Sequence, residues 1–270
     1  MLLFNSNCKA DALDLGKNIN SRTMRFLFFP IFLSFLLSSH LYASDLISIK
    51  SGDGVQITAD LYNVHSDSVP FIILFHQAGW SRGEYLETAP KLNSLGYNCL
   101  AVDLRSGKSV NGIDNFTFIN ANKALKETKY IDAYQDIEAS IAHVRKFFAK
   151  GKVIILGSSY SSSLVLKYAG DNPQEVNGVV AFSPGEYFKP SGKPDDFIKS
   201  SATNIECPSL IVSARTEKNS WWEIYEAIGA ENKSYYLPET SGNHGSRALW
   251  QKFTDHKGYW EALTGFLSQI

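Results

Sequence analysis

The segment VIILGSSYS, residues 153–161, decides how this chain folds. Its four leading apolar residues, 153–156, are typical of a strand buried on both faces of a parallel sheet. Gly157 follows this strand, and residues 162–169 have the composition of a helix. A tight strand-to-helix turn of this kind projects its central residue, Ser159, clear of the sheet, and only small neighbours fit around its backbone. The segment therefore predicts a nucleophilic serine at position 159.

The match of this turn to the G-x-S-x-G pattern is partial, because Ser161 stands where the second glycine is usual. Ser159 also begins the predicted helix, whose first N–H groups can hold an oxyanion. The alternative is a serine-rich helix cap without chemistry, since serine is a favoured N-cap residue.

Strand-like and helix-like segments alternate outward from this turn. The alternation predicts an α/β domain with a mostly parallel central sheet and helices on both faces. The strand-like segments are 46–50 and 55–62, which form a hairpin, and 71–75, 98–104, 176–182, 208–213 and 233–237; helix-like segments include 84–95 and 131–148. Residues 105–130 and 184–206 are irregular, so we expect a minimal cap over the sheet.

Composition narrows the function classes. The chain has 270 residues, with 26 Lys and Arg against 27 Asp and Glu, and this near-neutral balance argues against a nucleic-acid binder, which needs a basic face. Hydrophobic residues at 44% suffice for one packed core. Three cysteines are too few for a disulfide framework, and none belongs to a cluster with metal-ligand spacing. We expect a globular domain with a small-molecule site and no metal.

The N-terminal region resembles an export signal. Arg25 precedes an apolar run at 26–37, and small residues at 41–43 form an acceptable cleavage site. The run is shorter than the ~20 residues of a membrane-spanning helix. We therefore expect an upstream extension at 1–23, a signal peptide at 24–43, and an exported, periplasmic or secreted domain at 44–270. The alternative is an uncleaved membrane anchor.

A nucleophilic serine needs a base, and His244 is the best candidate. It lies in the small, flexible segment 241–245, after the last predicted strand. That position places it at the carboxyl edge of the sheet, where Ser159 also lies. The other histidines are interpreted as solvated or structural residues, namely His40, His65, His76, His143 and His256.

The carboxylate that orients the histidine should follow a strand between the serine and the histidine. Glu217 meets this requirement, because it comes directly after the strand at 208–213. Glu186 is the second choice, and Asp195 and Asp196 are the third.

An oxyanion hole needs two backbone N–H groups. One is expected from Tyr160, directly after the nucleophile. The other is expected from Gln77, with Ala78 close behind, in the segment that follows the strand at 71–75. Aromatic side chains near these positions could line an apolar pocket together with Ala78; they are Trp80, Tyr160, Tyr187 and Phe188.

The order Ser159, Glu217, His244, each after a strand, resembles the α/β-hydrolase superfamily. The segment LFHQAG, residues 74–79, is similar to the oxyanion loop of that superfamily. The compact size resembles its small serine esterase and dienelactone hydrolase-like branch, and the resemblance covers about residues 46–270. Two positions depart from the family pattern: Ser161 replaces glycine, and Glu217 replaces the more usual aspartate.

The resemblance implies an α/β-hydrolase fold and hydrolysis of a small or medium carboxylic ester, lactone or thioester through an acyl-enzyme. No cofactor or metal is implied, and no nucleic acid or stable membrane span after signal cleavage. A peptidase or an acyltransferase would use the same triad. A non-catalytic binding protein would keep the fold and the pocket without the assembled triad. The oligomeric state stays open.

Overall fold

The computed structural model of the chain describes residues 44–270. The expected extension at 1–23 and signal peptide at 24–43 lie outside the described residues. Within 44–270, no helix has both the length and the apolar character needed to cross a membrane.

The described chain alternates strands and helices along most of its length. The strands are β1 Asp45–Lys50, β2 Gln56–Tyr62, β3 Phe71–Phe75, β4 Asn98–Val102, β5 Ser109–Val110, β6 Ile113–Asp114, β7 Val153–Ser158, β8 Gly178–Phe182, β9 Ser209–Val212 and β10 Lys233–Tyr236. The helices are α1 Thr88–Ser94, α2 Phe116–Lys123, α3 Tyr134–Phe147, α4 Tyr160–Asp171, α5 Phe197–Ala202, α6 Lys218–Ala227 and α7 His256–Leu267.

Eight strands form the central sheet, in the order β1-β2-β4-β3-β7-β8-β9-β10. β1 and β2 pair antiparallel as the expected hairpin, and β2 pairs antiparallel with β4. The remaining neighbours are parallel. The predicted mostly parallel sheet is confirmed, and the carboxyl ends of β3, β7, β8 and β9 meet at one edge.

Helices cover both faces of this sheet, as expected. Alternate residues of β3 enter two separate cores because successive strand side chains point to opposite faces. Phe71 and Phe75 join the core that also contains residues of α3, α4, α5 and α6. Ile72 and Leu74 join the core on the other face, with residues of α1 and α7.

The segment at 84–95 differs from the single helix that its sequence predicts. A 3-10 turn at Arg82–Tyr85 comes first, and α1 then begins at Thr88. Pro90 explains the late start, because proline lacks the N–H that a longer helix would need there and is tolerated only in a first turn. As a result, Glu84 lies in a buried turn and not on a helix surface.

The long connections carry only short elements within the described chain. The stretch at 105–130 holds the β5–β6 hairpin and α2, and the stretch at 184–206 holds a 3-10 turn at Lys189–Ser191 and α5. The cap is therefore as small as expected.

Candidate active site

Ser159 occupies the turn between β7 and α4. Its backbone has φ 59° and ψ −125°, a conformation that costs a non-glycine residue about 1–3 kcal/mol. The Ser159 N–H donates to the Phe182 carbonyl at 2.7 Å, which ties the turn to β8. A Cβ on Gly157 would lie 2.5 Å from the carbonyl oxygen of Ser161. The expected tight turn with small neighbours is confirmed.

Ser161, which replaces the usual glycine, has a definite structural role. Its hydroxyl accepts from the Ser158 N–H at 2.9 Å and lies 2.8 Å from the Phe75 carbonyl, to which it donates. Its side chain is fully buried. The substitution therefore joins the serine turn to the end of β3.

The structure brings His244 between Ser159 and Glu217. His244 Nε2 lies 2.8 Å from Ser159 Oγ, and Nδ1 lies 2.6 Å from Glu217 Oε1. An ionised carboxylate can only accept hydrogen bonds, so Nδ1 carries a proton, and in the neutral ring Nε2 is the nitrogen that accepts the serine hydroxyl proton. His244 therefore has the tautomer that a general base for Ser159 requires.

Ser183 holds the second oxygen of Glu217. Its hydroxyl donates to Glu217 Oε2 at 2.6 Å, and the same oxygen accepts from the Ala214 N–H at 3.2 Å. Burial alone would raise the pKa of Glu217, but the hydrogen bonds from His244 and Ser183 outweigh it and hold that pKa below its ordinary value. Glu217 is thus kept ionised beside the imidazole.

The alternative acids are engaged elsewhere. The Glu186 carboxylate accepts from the N–H groups of Ile198 and Lys199 at the start of α5, at 3.0 and 2.8 Å. Asp195 pairs with Lys189, and Asp196 accepts from the Ser200 hydroxyl. Glu217, and not Glu186, is therefore the carboxylate that contacts His244.

The expectation for Gln77 needs correction. Its N–H donates to Glu84 Oε2 at 2.8 Å inside the protein, so it is not available to an oxyanion. Within the described residues no acceptor meets the N–H of Ala78, the second choice. The Tyr160 N–H opens α4 and, like other first-turn N–H groups, has no partner inside its helix.

His76 fixes the loop after β3. It is fully buried, its Nδ1 lies 2.8 Å from the Gln77 carbonyl, and its Nε2 accepts from the Leu104 N–H at 2.8 Å. Desolvation lowers the pKa of His76 to about 4, so the imidazole is neutral. His76 is a packing residue, as its position in the chain predicts.

Of the expected pocket residues, Tyr187 is anchored by its hydroxyl, which donates to the Ser183 carbonyl at 2.8 Å. Burial raises its pKa to about 12, and the nearby Glu217 charge adds to that effect, whereas the Ser159 side chain opposes it. Ala78 is half-buried against the core beneath it. Trp80 stacks on Trp250 with ring centroids 5.3 Å apart, and Phe188 is a buried core residue. Packing is thus the role that the structure shows for these last two.

A small cavity opens beside the oxyanion loop. It measures about 180 Å³, and its walls include Gly79, Ser106, Lys108 and Tyr130. The Tyr130 ring stacks on the Tyr160 ring at 4.6 Å. Clefts that hold drug-sized ligands measure about 300–1,000 Å³, so this cavity suits only a small group.

Sequence reasoning missed Ser183 and Glu84. Ser183 follows β8, and only the strand order shows that it lies between the serine turn and Glu217. Glu84 begins the segment 84–95, which the sequence predicts as one helix, and nothing in the sequence signals the burial of its side chain. Within residues 44–270, no group of three or more His, Cys, Asp or Glu side chains could hold a metal ion.

The described geometry can support acyl transfer. A hydroxyl faces an imidazole, the imidazole faces an ionised carboxylate, and the Tyr160 N–H at the start of α4 directly follows the serine. Such an arrangement activates a serine by removing its proton during attack on a carbonyl carbon.

Comparison with solved structures finds the same fold. An esterase of Pyrococcus furiosus matches with a TM-score of 0.63 and 19% identity, covering 84% of this chain and 93% of that one. A dienelactone hydrolase of Anabaena variabilis matches with a TM-score of 0.65 and 14% identity, over 84% and 97%. An acylaminoacyl peptidase of Pyrococcus horikoshii matches with a TM-score of 0.59 and 14% identity, over 83% and 41%.

No curated protein matches the sequence. The family model described as serine aminopeptidase, S33, matches residues 67–221, a segment that runs from β3 through β7 and the serine turn to the acid after β9. Because this match spans more than half of the 270 residues, the chain belongs to the serine aminopeptidase S33 family and is a hydrolase of the α/β-hydrolase superfamily.

Proposed function

We propose that this protein is a serine hydrolase that cleaves small or medium carboxylic esters, lactones or thioesters through an acyl-enzyme on Ser159. The observation that carries the proposal is the chain of two hydrogen bonds from Ser159 Oγ through His244 to Glu217, at 2.8 and 2.6 Å. Membership of the hydrolase family and the fold shared with esterases support it.

In the proposed mechanism, Ser159 Oγ bonds to the carbonyl carbon while its proton passes to His244 Nε2. The oxyanion that forms accepts from the N–H groups of Ala78 and Tyr160. His244 then gives its proton to the leaving alcohol oxygen as the carbon–oxygen bond breaks. Water attacks the acyl-enzyme by the same route, with His244 taking the water proton and returning it to Ser159.

The surrounding charges favour an ester over a peptide with a free amino terminus. An aminopeptidase binds a protonated amino group, for which a carboxylate is the strongest acceptor. Glu217 is bound to His244, Glu84 is fully buried, and Glu186 accepts from the backbone of α5. These three carboxylates are therefore engaged, and a neutral ester needs no carboxylate to bind it.

A fluorophosphonate probe tests the nucleophile directly. The wild-type protein, incubated beside Ser159→Ala, should be labelled on the peptide that contains Ser159, and the variant should not be labelled. Hydrolysis of p-nitrophenyl esters and of matched p-nitroanilides should then show turnover of the esters.

The same experiments would give a different result for each alternative function. A folded wild-type protein that resists the probe and all these substrates would be a binding protein, and the proposal would be wrong. Faster turnover of the anilides would indicate a peptidase. Transfer of the acyl group to an added alcohol in preference to water would indicate an acyltransferase.

A further inference from the structure

A buried carboxylate behind the candidate active site has no role in the steps above. Glu84 is fully buried, and within the described residues it forms no ion pair with Lys or Arg. Its Oε1 accepts from the hydroxyls of Ser158 and Ser246, at 2.8 and 2.6 Å. Its Oε2 accepts from the Gln77 N–H at 2.8 Å.

The three donors belong to three separate segments, and each segment carries one part of the proposed machinery. Gln77 immediately precedes Ala78, Ser158 immediately precedes Ser159, and Ser246 follows His244 by two residues. One carboxylate thereby connects the oxyanion loop, the serine turn and the histidine segment.

We propose that Glu84 is a positioning residue that sets the oxyanion loop relative to Ser159 and His244. The inference rests on the proposed function. Glu84 holds the N–H of Gln77, and His76 holds its carbonyl, so Gln77 is fixed at both ends. The next N–H, that of Ala78, has no hydrogen-bond partner among residues 44–270. Displacement of a catalytic group by about 1 Å can cost on the order of 10²-fold in rate.

The chemistry of the site requires a carboxylate. Glutamine offers one acceptor oxygen, so it could keep the two hydroxyls and would then face the Gln77 N–H with its own NH₂ donors. Burial raises the pKa of Glu84, since the charged form loses its hydration, and the hydrogen bonds from Ser246, Gln77 and Ser158 oppose that effect. A buried carboxylate without a cationic partner is costly to desolvate, so this residue is better explained by positioning than by stability.

The test compares Glu84→Gln with Glu87→Gln in the full chain. Glu87 is a matched control, because it lies three residues away and its carboxylate also accepts a backbone N–H, that of Gln251, but on the exposed surface. Glu84→Gln should lower kcat by about 10²-fold or more with KM within about threefold of wild type. Glu87→Gln should leave both constants near wild type.

A pair of substrates separates positioning from loss of structure. Sulfur is a weak hydrogen-bond acceptor, so the thionoester of a given substrate gains less from oxyanion N–H donors than the ester does. Glu84→Gln should therefore reduce kcat/KM for the ester more than for the thionoester. An equal loss on both substrates, or a folded variant with kcat within threefold of wild type, would overturn the inference.

If Glu84→Gln does not fold, Glu84→Asp replaces it in the same experiment. Aspartate keeps the charge but withdraws the carboxylate by one methylene, so the results expected, and those that would overturn the inference, are the same as for Glu84→Gln. The wild-type protein separates this inference from the proposed function. A wild type that is neither labelled nor active defeats both, whereas an active wild type with an unaffected Glu84 variant defeats only the positioning role.

Discussion

At the residue scale, the backbone of Ser159 is held away from its preferred conformation by its neighbours. Its φ of 59° is maintained by the N–H bond to Phe182 and by the close approach of Gly157 to the first turn of α4. Strain of this kind persists only where the surroundings determine it fully. The lack of a side chain at Gly157 is therefore as necessary for the geometry of the site as the Ser159 hydroxyl itself.

Gly157→Ala should damage both stability and activity. The new methyl would lie 2.5 Å from the Ser161 carbonyl and 2.6 Å from the Ser162 Cα, which are backbone atoms that cannot rotate away. We expect a loss of about 1–3 kcal/mol in the free energy of unfolding, measured by urea denaturation, and on the order of 10²-fold in kcat/KM.

Gly265→Ala is the matched control. Gly265 lies in α7 and has no atom within 4 Å of an added Cβ. Alanine should stabilise that helix by about 0.5–1 kcal/mol and leave kcat unchanged. If both substitutions changed the free energy of unfolding in the same direction, the steric argument at Gly157 would be contradicted.

The identity of the acid gives a second test at this scale. Glu217→Gln places an amide beside His244 Nδ1 and should lower kcat by about 10⁴-fold by favouring the wrong tautomer. Glu186→Gln keeps one acceptor oxygen but removes the negative charge at the first N–H groups of α5, and it should cost up to about 1 kcal/mol of stability with kcat unchanged. Steady-state kinetics that assigned the large loss to Glu186→Gln would reverse the two roles.

At the scale of the elements, the loop after β3 is organised by one neutral histidine. The imidazole of His76 joins the Gln77 carbonyl to the Leu104 N–H, and Asn115 Nδ2 lies 3.1 Å from its Nε2. A protonated ring could not accept from Leu104 or Asn115. Protonation of His76 therefore opposes the folded loop.

This coupling predicts a pH dependence of stability. The pKa of His76 is about 4 in the folded protein and about 6.5 in the unfolded chain, so the unfolded chain binds this proton first as the pH falls. Stability should decline by up to about 1.4 kcal/mol per pH unit between these values because of this residue. Urea denaturation of wild type and His76→Asn at a series of pH values gives the free energy of unfolding as a function of pH. This free energy should fall less steeply with decreasing pH in the variant than in wild type.

The control for this experiment is His256→Asn, which alters an imidazole in α7 outside the loop. It should keep the wild-type slope. Identical slopes in wild type and His76→Asn would show that His76 does not titrate as the structure requires.

Local patterns explain which parts of the site could be predicted from the sequence. Local features, namely the apolar run before Gly157 and the turn residues, were enough to predict the fold. The order along the chain was enough to predict the positions Ser159, Glu217 and His244. Ser183 and Glu84 depend on which strands become neighbours and on a turn that interrupts a helical pattern. The bond from Gln77 to Glu84 could not be predicted, because neither residue signals the other.

At the scale of the whole molecule, strand order assembles the site. β3, β7, β8 and β9 are successive neighbours, so their carboxyl ends bring together the oxyanion loop, Ser159, Ser183 and Glu217. His244 follows β10, the edge strand, and its segment returns across the ends of β9 and β8 to reach Ser159. Residues from separate parts of the described chain thus meet at one edge of the sheet.

The same architecture predicts a preference for short acyl groups. The connections over the site hold only short elements in the described chain, and the cavity beside the oxyanion loop measures about 180 Å³. In wild type, kcat/KM for p-nitrophenyl esters should fall as the acyl chain lengthens. Tyr130→Ala removes a wall of this cavity, and each added methylene that it then buries should gain about 0.8 kcal/mol, close to fourfold in kcat/KM.

Tyr130→Phe is the control, because it keeps the ring that stacks on Tyr160 at 4.6 Å. Its chain-length profile should match wild type, whereas the maximum for Tyr130→Ala should move to longer chains. Parallel profiles for all three proteins would place the acyl group elsewhere along the carboxyl edge. In that case the cavity behind Tyr130 would be a packing defect of the 105–130 connection, and Tyr187, beside Ser159, would be the next wall to alter.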